Sequence, residues 1–157
     1  MPKNRRIKIL AVKHDFDCTR IIAIGFADGA NITGSILILS PDFFEGAILF
    51  RPKKPFENKR PLPDKFGTRI FISTGKNDET IKSEDTAIYL SFLENAGFKV
   101  THHYLDAGHN LIKEDLGKIL NVKTLNLQKT NVVEKGVGIL TIEYQYLSAI
   151  KKYYSKI

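Results

Sequence analysis

The feature that most narrows the folds open to this chain is a repeated unit: a short apolar run, a tight turn, then a stretch with helical spacing. Ile21-Ile22-Ala23-Ile24 is the first run, bounded by Arg20 and Gly25, and Gly46 to Phe50 is the second. Arg69 to Thr74 and Lys99 to Leu105 follow. The first two runs lack the polar alternation of a half-exposed strand, so they read as strands covered on both faces. Helical spacing follows over Ala30 to Leu39, which stops at Ser40-Pro41, and over a segment capped by Ser83 and running to Asn95, where Gly97 ends it. Another helix begins near Ile112. Strands alternating with helices through short loops imply a parallel sheet with right-handed crossovers. The expected fold is therefore α/β, about four parallel strands with flanking helices and a C-terminal extension.

The remaining segments carry weaker signals. Asn4 to His14 has helical spacing and Asp15 to Arg20 reads as a polar turn. Arg51 to Phe66, rich in proline and lysine, reads as a loop. Asn121 to Gly138 has no clear period, Val137 to Ile142 reads as a strand, and Glu143 to Ile157 as a helix with Tyr146, Ala149, Ile150 and Tyr153 on one face. This divides the chain into residues 1–120, which carry the organised pattern, and a divergent tail over 121–157.

A chain of 157 residues fits one domain and can bury a useful core. No apolar run reaches the roughly 20 residues of a membrane span, and no secretory signal follows the basic start. The single cysteine, Cys18, has no internal disulfide partner, so a reducing, cytoplasmic setting is expected. The formal charge is +7, yet the basic excess sits in the two ends. Residues 28–111 are close to neutral. No basic stripe interleaved with aromatic residues is present, and nucleic acid is not an expected partner.

In open parallel sheets, active sites lie beyond the carboxyl ends of the strands. Three chemically interesting positions fall at such ends: Ala27 after the first strand, Asp78 after the third and His109 after the fourth. His102 and His103 are adjacent on a strand and face opposite ways, so they cannot share a metal. His14 reads as a solvated residue, Cys18 sits in no nucleophile pattern, Lys53-Lys54-Pro55 reads as exposed loop, and Ser35 and Ser40 belong to a helix.

The order of these positions, with the Gly-bracketed turn Gly25-Phe26-Ala27-Asp28-Gly29, resembles the phospholipase/carboxylesterase family of α/β-hydrolases, which includes acyl-protein thioesterase-like enzymes. Four strings carry the resemblance in register across Phe16 to Leu116. They are Ile-Ala-Ile-Gly-Phe-x-x-Gly-Ala-Asn-Ile at 22–32, Gly-Ala-Ile-Leu-Phe-Arg-Pro at 46–52, Ile-Ser-Thr-Gly-Lys-Asn-Asp at 72–78, and Gly-His-Asn-Leu at 108–111. The resemblance implies a partial α/β-hydrolase fold, its C-terminal half. The implied reaction is hydrolysis of a small acyl ester or thioester through an acyl-serine. His109 would be the base, Asp78 would orient it, and the backbone N–H of Asp28 would be an oxyanion donor. No cofactor or metal is implied.

Three departures qualify that implication. Position 27 holds alanine where the family places its nucleophilic serine, and a methyl group cannot attack a carbonyl. Asp28 stands one residue late to replace it. The family's earlier strands and the His-Gly-Gly-like loop that supplies a second oxyanion donor have no counterpart before Met1. The tail after Leu120 differs from the family's closing helix.

The expectation is a truncated hydrolase, inactive as written, whose first strand exposes an apolar edge. That edge is a route to self-association unless the strand at 137–142 covers it. The rivals are a non-catalytic binding protein that uses the residual cleft or edge, and a small basic interaction module.

Overall fold

The computed structural model describes residues 16–56, 67–120 and 136–142, together with Ile9, Val12, Lys13 and Pro63. Five strands and three helices account for most of them. They are β1 (Phe16–Phe26), α1 (Asp28–Leu39), β2 (Gly46–Phe50), β3 (Arg69–Gly75), α2 (Ser83–Asn95), β4 (Lys99–Leu105), α3 (Lys113–Leu120) and β5 (Gly136–Ile142). The strands form one sheet in the order β4-β3-β2-β1-β5, and every neighbouring pair is parallel. β2 and β4 have the bounds read from the sequence.

The two-residue period of a strand sends alternate side chains to opposite faces, and here both faces are covered. Ile21 and Ala23 of β1, Ala47 and Leu49 of β2 and Ile70 and Ile72 of β3 join Leu37 and Ile38 of α1 and Tyr89 and Leu93 of α2 in one core. Ile22, Ile24, Ile48, Phe50 and Phe71 face the other way, with Leu111 and Leu116 packed against them. That explains why the first two runs have no polar partner positions. Burying a side chain such as Leu37 or Leu93 contributes about 1.5–3 kcal/mol.

The end of α2 follows from its sequence. Gly97, at φ 99°, donates its N–H to the Glu94 carbonyl and Phe98 donates to Leu93, so the last carbonyls are satisfied by a left-handed turn that glycine adopts freely. Its start differs from the expectation. Lys82 occupies the cap position, no side chain caps it, and the Ser83 hydroxyl instead bonds the Glu84 carboxylate.

Two further expectations are corrected. Asp15 to Arg20 is not a polar turn, since residues 16–20 are the first part of β1. Only β5 pairs that far back, with Phe16 opposite Gly136 and a register shift between Asp17 and Ile21, whereas pairing with β2 begins at Ile22. The extension is thus made by tertiary pairing that local composition does not encode. For the same reason β1 is an inner strand rather than an edge. The tail strand covers it.

The helix expected over Glu143 to Ile157 lies outside the described residues, as does most of that over Asn4 to His14. No helix among the described residues is long and apolar enough to cross a membrane.

Candidate active site

Because all five strands run parallel, the carboxyl ends of β1, β3 and β4 share one rim, and each delivers one of the three positions singled out in the sequence. Between β1 and α1 the chain turns at Ala27 alone, with φ 48° and ψ −112°. For a residue with a Cβ this is a sparsely populated backbone, costing on the order of 1–3 kcal/mol unless its surroundings enforce it. They do. The Ala27 N–H donates to the Phe50 carbonyl at 2.9 Å, and the Ala27 carbonyl accepts from Asn31 at 2.9 Å.

The turn is so sharp that α1 passes directly over the end of β1. A Cβ built on Gly25 would stand 2.5 Å from the carbonyl carbon of Gly29. Glycine is therefore needed at position 25 for this close approach. Replacing Ala27 by glycine is expected to stabilise the fold by about 1 kcal/mol through release of this strain, read as a higher urea midpoint. Most alanine-to-glycine changes near a helix do the reverse.

Asp78 sits in the turn after β3, its side chain 1 % exposed. Oδ1 accepts the backbone N–H groups of Thr80 at 2.8 Å and Ile81 at 3.0 Å, and Oδ2 lies 2.9 Å from Nδ1 of His109. A carboxylate only accepts, so Nδ1 carries the proton that faces it. The imidazole is one-third exposed, at 33 %, and its ring lies 5.6 Å from that of Phe26, the neighbour of Ala27. Burial pushes the Asp78 carboxyl up, but the bonds from His109, Thr80 and Ile81 and the attraction of His109 outweigh it and hold it below its ordinary 3.8.

The loops bearing the acid and the histidine are stitched together. Lys76 N–H donates to Leu105, Asn77 N–H to Ala107, and the Asn77 amide to Asp106 at 2.9 Å. A side chain on Gly75 would overlap the carbonyl oxygens of Ala107 and Gly108.

The other candidates fall elsewhere. His102 Nε2 lies 2.7 Å from the Thr74 hydroxyl, while His103 stacks against Phe71 on the opposite face at 5.2 Å. Burial, then repulsion from His103, holds His102 below its ordinary 6.5. Ser35 bonds the Asn31 carbonyl within α1, and Ser40 is the residue that ends α1. Lys54 rests over the Phe92 ring at 4.6 Å. Asp28 is exposed, and its N–H is one of the first four of α1, which a helix leaves without an internal partner.

Acid lability should come in two stages. The unfolded chain takes up a proton at His102 before the folded one does, so stability falls as pH drops below 6.5. It falls again below 3.8 through Asp78. Melting curves of His102→Gln should lose the first stage and those of Asp78→Asn the second.

One buried group escaped the sequence reading. Arg51, placed there at the start of a loop, is 0 % exposed and adopts φ 51°. Its guanidinium forms a two-pronged ion pair with the equally buried Asp115, both bonds at 2.9 Å. It also bonds the Ser73 hydroxyl and the carbonyls of Gly108 and Asn110. Its place directly after a buried apolar run was the available signal.

Comparison with known proteins agrees with this fold. The chain is 34 % identical over 105 residues to "Putative hydrolase MhqD" of Bacillus subtilis (strain 168), covering 67 % of this chain and 52 % of the relative. It superposes on the Bacillus cereus carboxylesterase with a TM-score of 0.68 at 31 % identity, covering 73 % of this chain and 54 % of that one. A carboxylesterase from Mesorhizobium loti gives 0.66 at 25 % identity, over 74 % and 55 % of the two chains. The chain thus spans about half the length of the relatives it matches. No protein-family model matches it.

Proposed function

This chain is a partial α/β-hydrolase similar to carboxylesterases, and from that premise we propose that its rim is an ester- or thioester-binding site of phospholipase/carboxylesterase type, disarmed at the nucleophile. The observation that carries the reading is the 2.9 Å bond between His109 and Asp78 on the same rim as the strained turn at Ala27. In this reading His109 Nε2 is the base, Asp78 holds the imidazole in the right tautomer, and the Asp28 N–H is an oxyanion donor.

With a serine at 27, its oxygen would attack the substrate carbonyl while its proton passed to Nε2. The leaving alcohol or thiol would then take that proton, and water would release the acyl group by the same steps. With a methyl there, the first bond cannot form. Asp28 does not substitute, since it begins the helix rather than standing at the apex of the turn.

The methyl at 27 also favours a second reading, a protein that binds acyl esters through the residual cleft without turning them over. Substrate class, phospholipase-type specificity and a cytoplasmic setting belong to this proposal. Ester hydrolysis by the chain beside its Ala27→Ser variant tests it. Activity only in the serine form supports a disarmed site. Activity in the unaltered chain, surviving loss of His109, would contradict it.

A further inference from the structure

We infer that Arg51 is a positioning residue for His109, acting through the backbone of the loop that carries the imidazole; the inference rests on the reading of Asp78 and His109 as the acid–histidine pair. His109 is bracketed by Gly108 and Asn110, and Arg51 holds both of their carbonyls. Nε donates to Gly108 at 3.0 Å and Nη2 to Asn110 at 3.1 Å. Two clamped peptides, one on each side, fix where the His109 Cα stands and which way its side chain leaves.

The fork itself is immobilised from below. Asp115 accepts from both of its terminal nitrogens, Ser73 of β3 bonds Nη1 and Asp115 alike, and Asp115 also accepts the N–H of Ile112 at the start of α3. This last bond is the acidic half of a capping box. β3 is the strand that leads into Asp78. One guanidinium therefore ties the histidine loop, the strand behind the acid and the helix after the histidine into a single frame.

A group that only stabilised the core could take any carbonyls as acceptors; the two that Arg51 takes stand astride His109. Arginine is required because its five N–H groups form a rigid planar fork that serves several acceptors at once. The turn at Arg51, with φ 51° and its own N–H bonded to the Ser73 carbonyl, brings the side chain back under the rim.

Two variants of the full chain separate positioning from mere stabilisation. In Arg51→Met/Asp115→Leu both charges leave together, which buried ion pairs commonly tolerate without loss of fold. In Arg51→Lys the charge against Asp115 stays, but one ammonium cannot replace the fork. Proton–nitrogen correlation spectra of the imidazoles at neutral pH report which ring nitrogen of His109 is protonated.

The unaltered chain should show the Nδ1–H form. Both variants should lose that preference and give a mixture, while the His102 and His103 signals stay in place as the control for fold. A His109 tautomer unchanged in a folded variant overturns the role of Arg51 and leaves the Asp78–His109 pair standing. A His109 protonated on Nε2 in the unaltered chain overturns the pair itself, and this inference with it.

Discussion

Ala27→Ser is expected to raise ester turnover by about 10⁴-fold over the unaltered chain, an estimate built from two opposing terms. Loss of a triad serine costs other serine hydrolases on the order of 10⁶ in turnover, and working with one oxyanion donor forfeits about 10² of what its return would restore. The backbone need not move to accept the new side chain. Position 27 already holds φ 48° and ψ −112°, enforced by hydrogen bonds from the neighbouring strand and helix, and serine adds one oxygen to the existing Cβ.

The donor available in the described residues is the Asp28 N–H, because the second in this fold comes from a loop after an earlier strand. Adding His109→Gln to the serine variant should return turnover to the starting level, since it removes the base that takes the serine's proton. A serine variant as inert as the alanine chain would mean that the rim no longer binds an ester in reach of position 27.

The largest effect on stability is expected at Arg51. Arg51→Met alone should cost about 3–5 kcal/mol, because it leaves the Asp115 carboxylate buried without its counter-charge. Both side chains are 0 % exposed, so water cannot take the arginine's place. Against a typical total of about 5–15 kcal/mol, that loss should appear as a large fall in the urea midpoint. Asp115→Leu alone should cost a similar amount by orphaning the guanidinium. The double variant should cost far less than the two singles together, since removing both charges leaves neither stranded. Additive losses would show that the two residues act independently.

Much of the frame could be read from the chain because the physics that sets it is local. A strand covered on both faces must be apolar at every position, and Gly46 to Phe50 is, so its bounds could be read to the residue. The order of Ala27, Asp78 and His109 at successive strand ends was legible for a similar reason. A parallel sheet puts all carboxyl ends on one rim, whatever the distances turn out to be.

What escaped depended on partners distant in sequence. Arg51 and Asp115 are 64 residues apart, and neither names the other as its partner until the fold brings them together. Residues 16–20 look like a turn because their strand neighbour comes from the tail, 120 positions later. The cap of α2 failed for a plainer reason. Ser83 has a capping side chain, but its hydroxyl is turned to Glu84, while Asp78 holds the N–H groups of Thr80 and Ile81 in the turn ahead of the helix. The residue that orients His109 also shapes the turn leading to α2.

The most direct test of a disarmed but assembled site is covalent labelling with a fluorophosphonate, which reacts with a serine only when a neighbouring base accepts its proton. The Ala27→Ser chain should be labelled once, at residue 27. Labelling should fall by on the order of 10³-fold or more when His109 is also replaced, and the alanine chain should stay unlabelled. A serine at 27 that takes no label, or one labelled equally well without His109, would show that the imidazole does not serve that position.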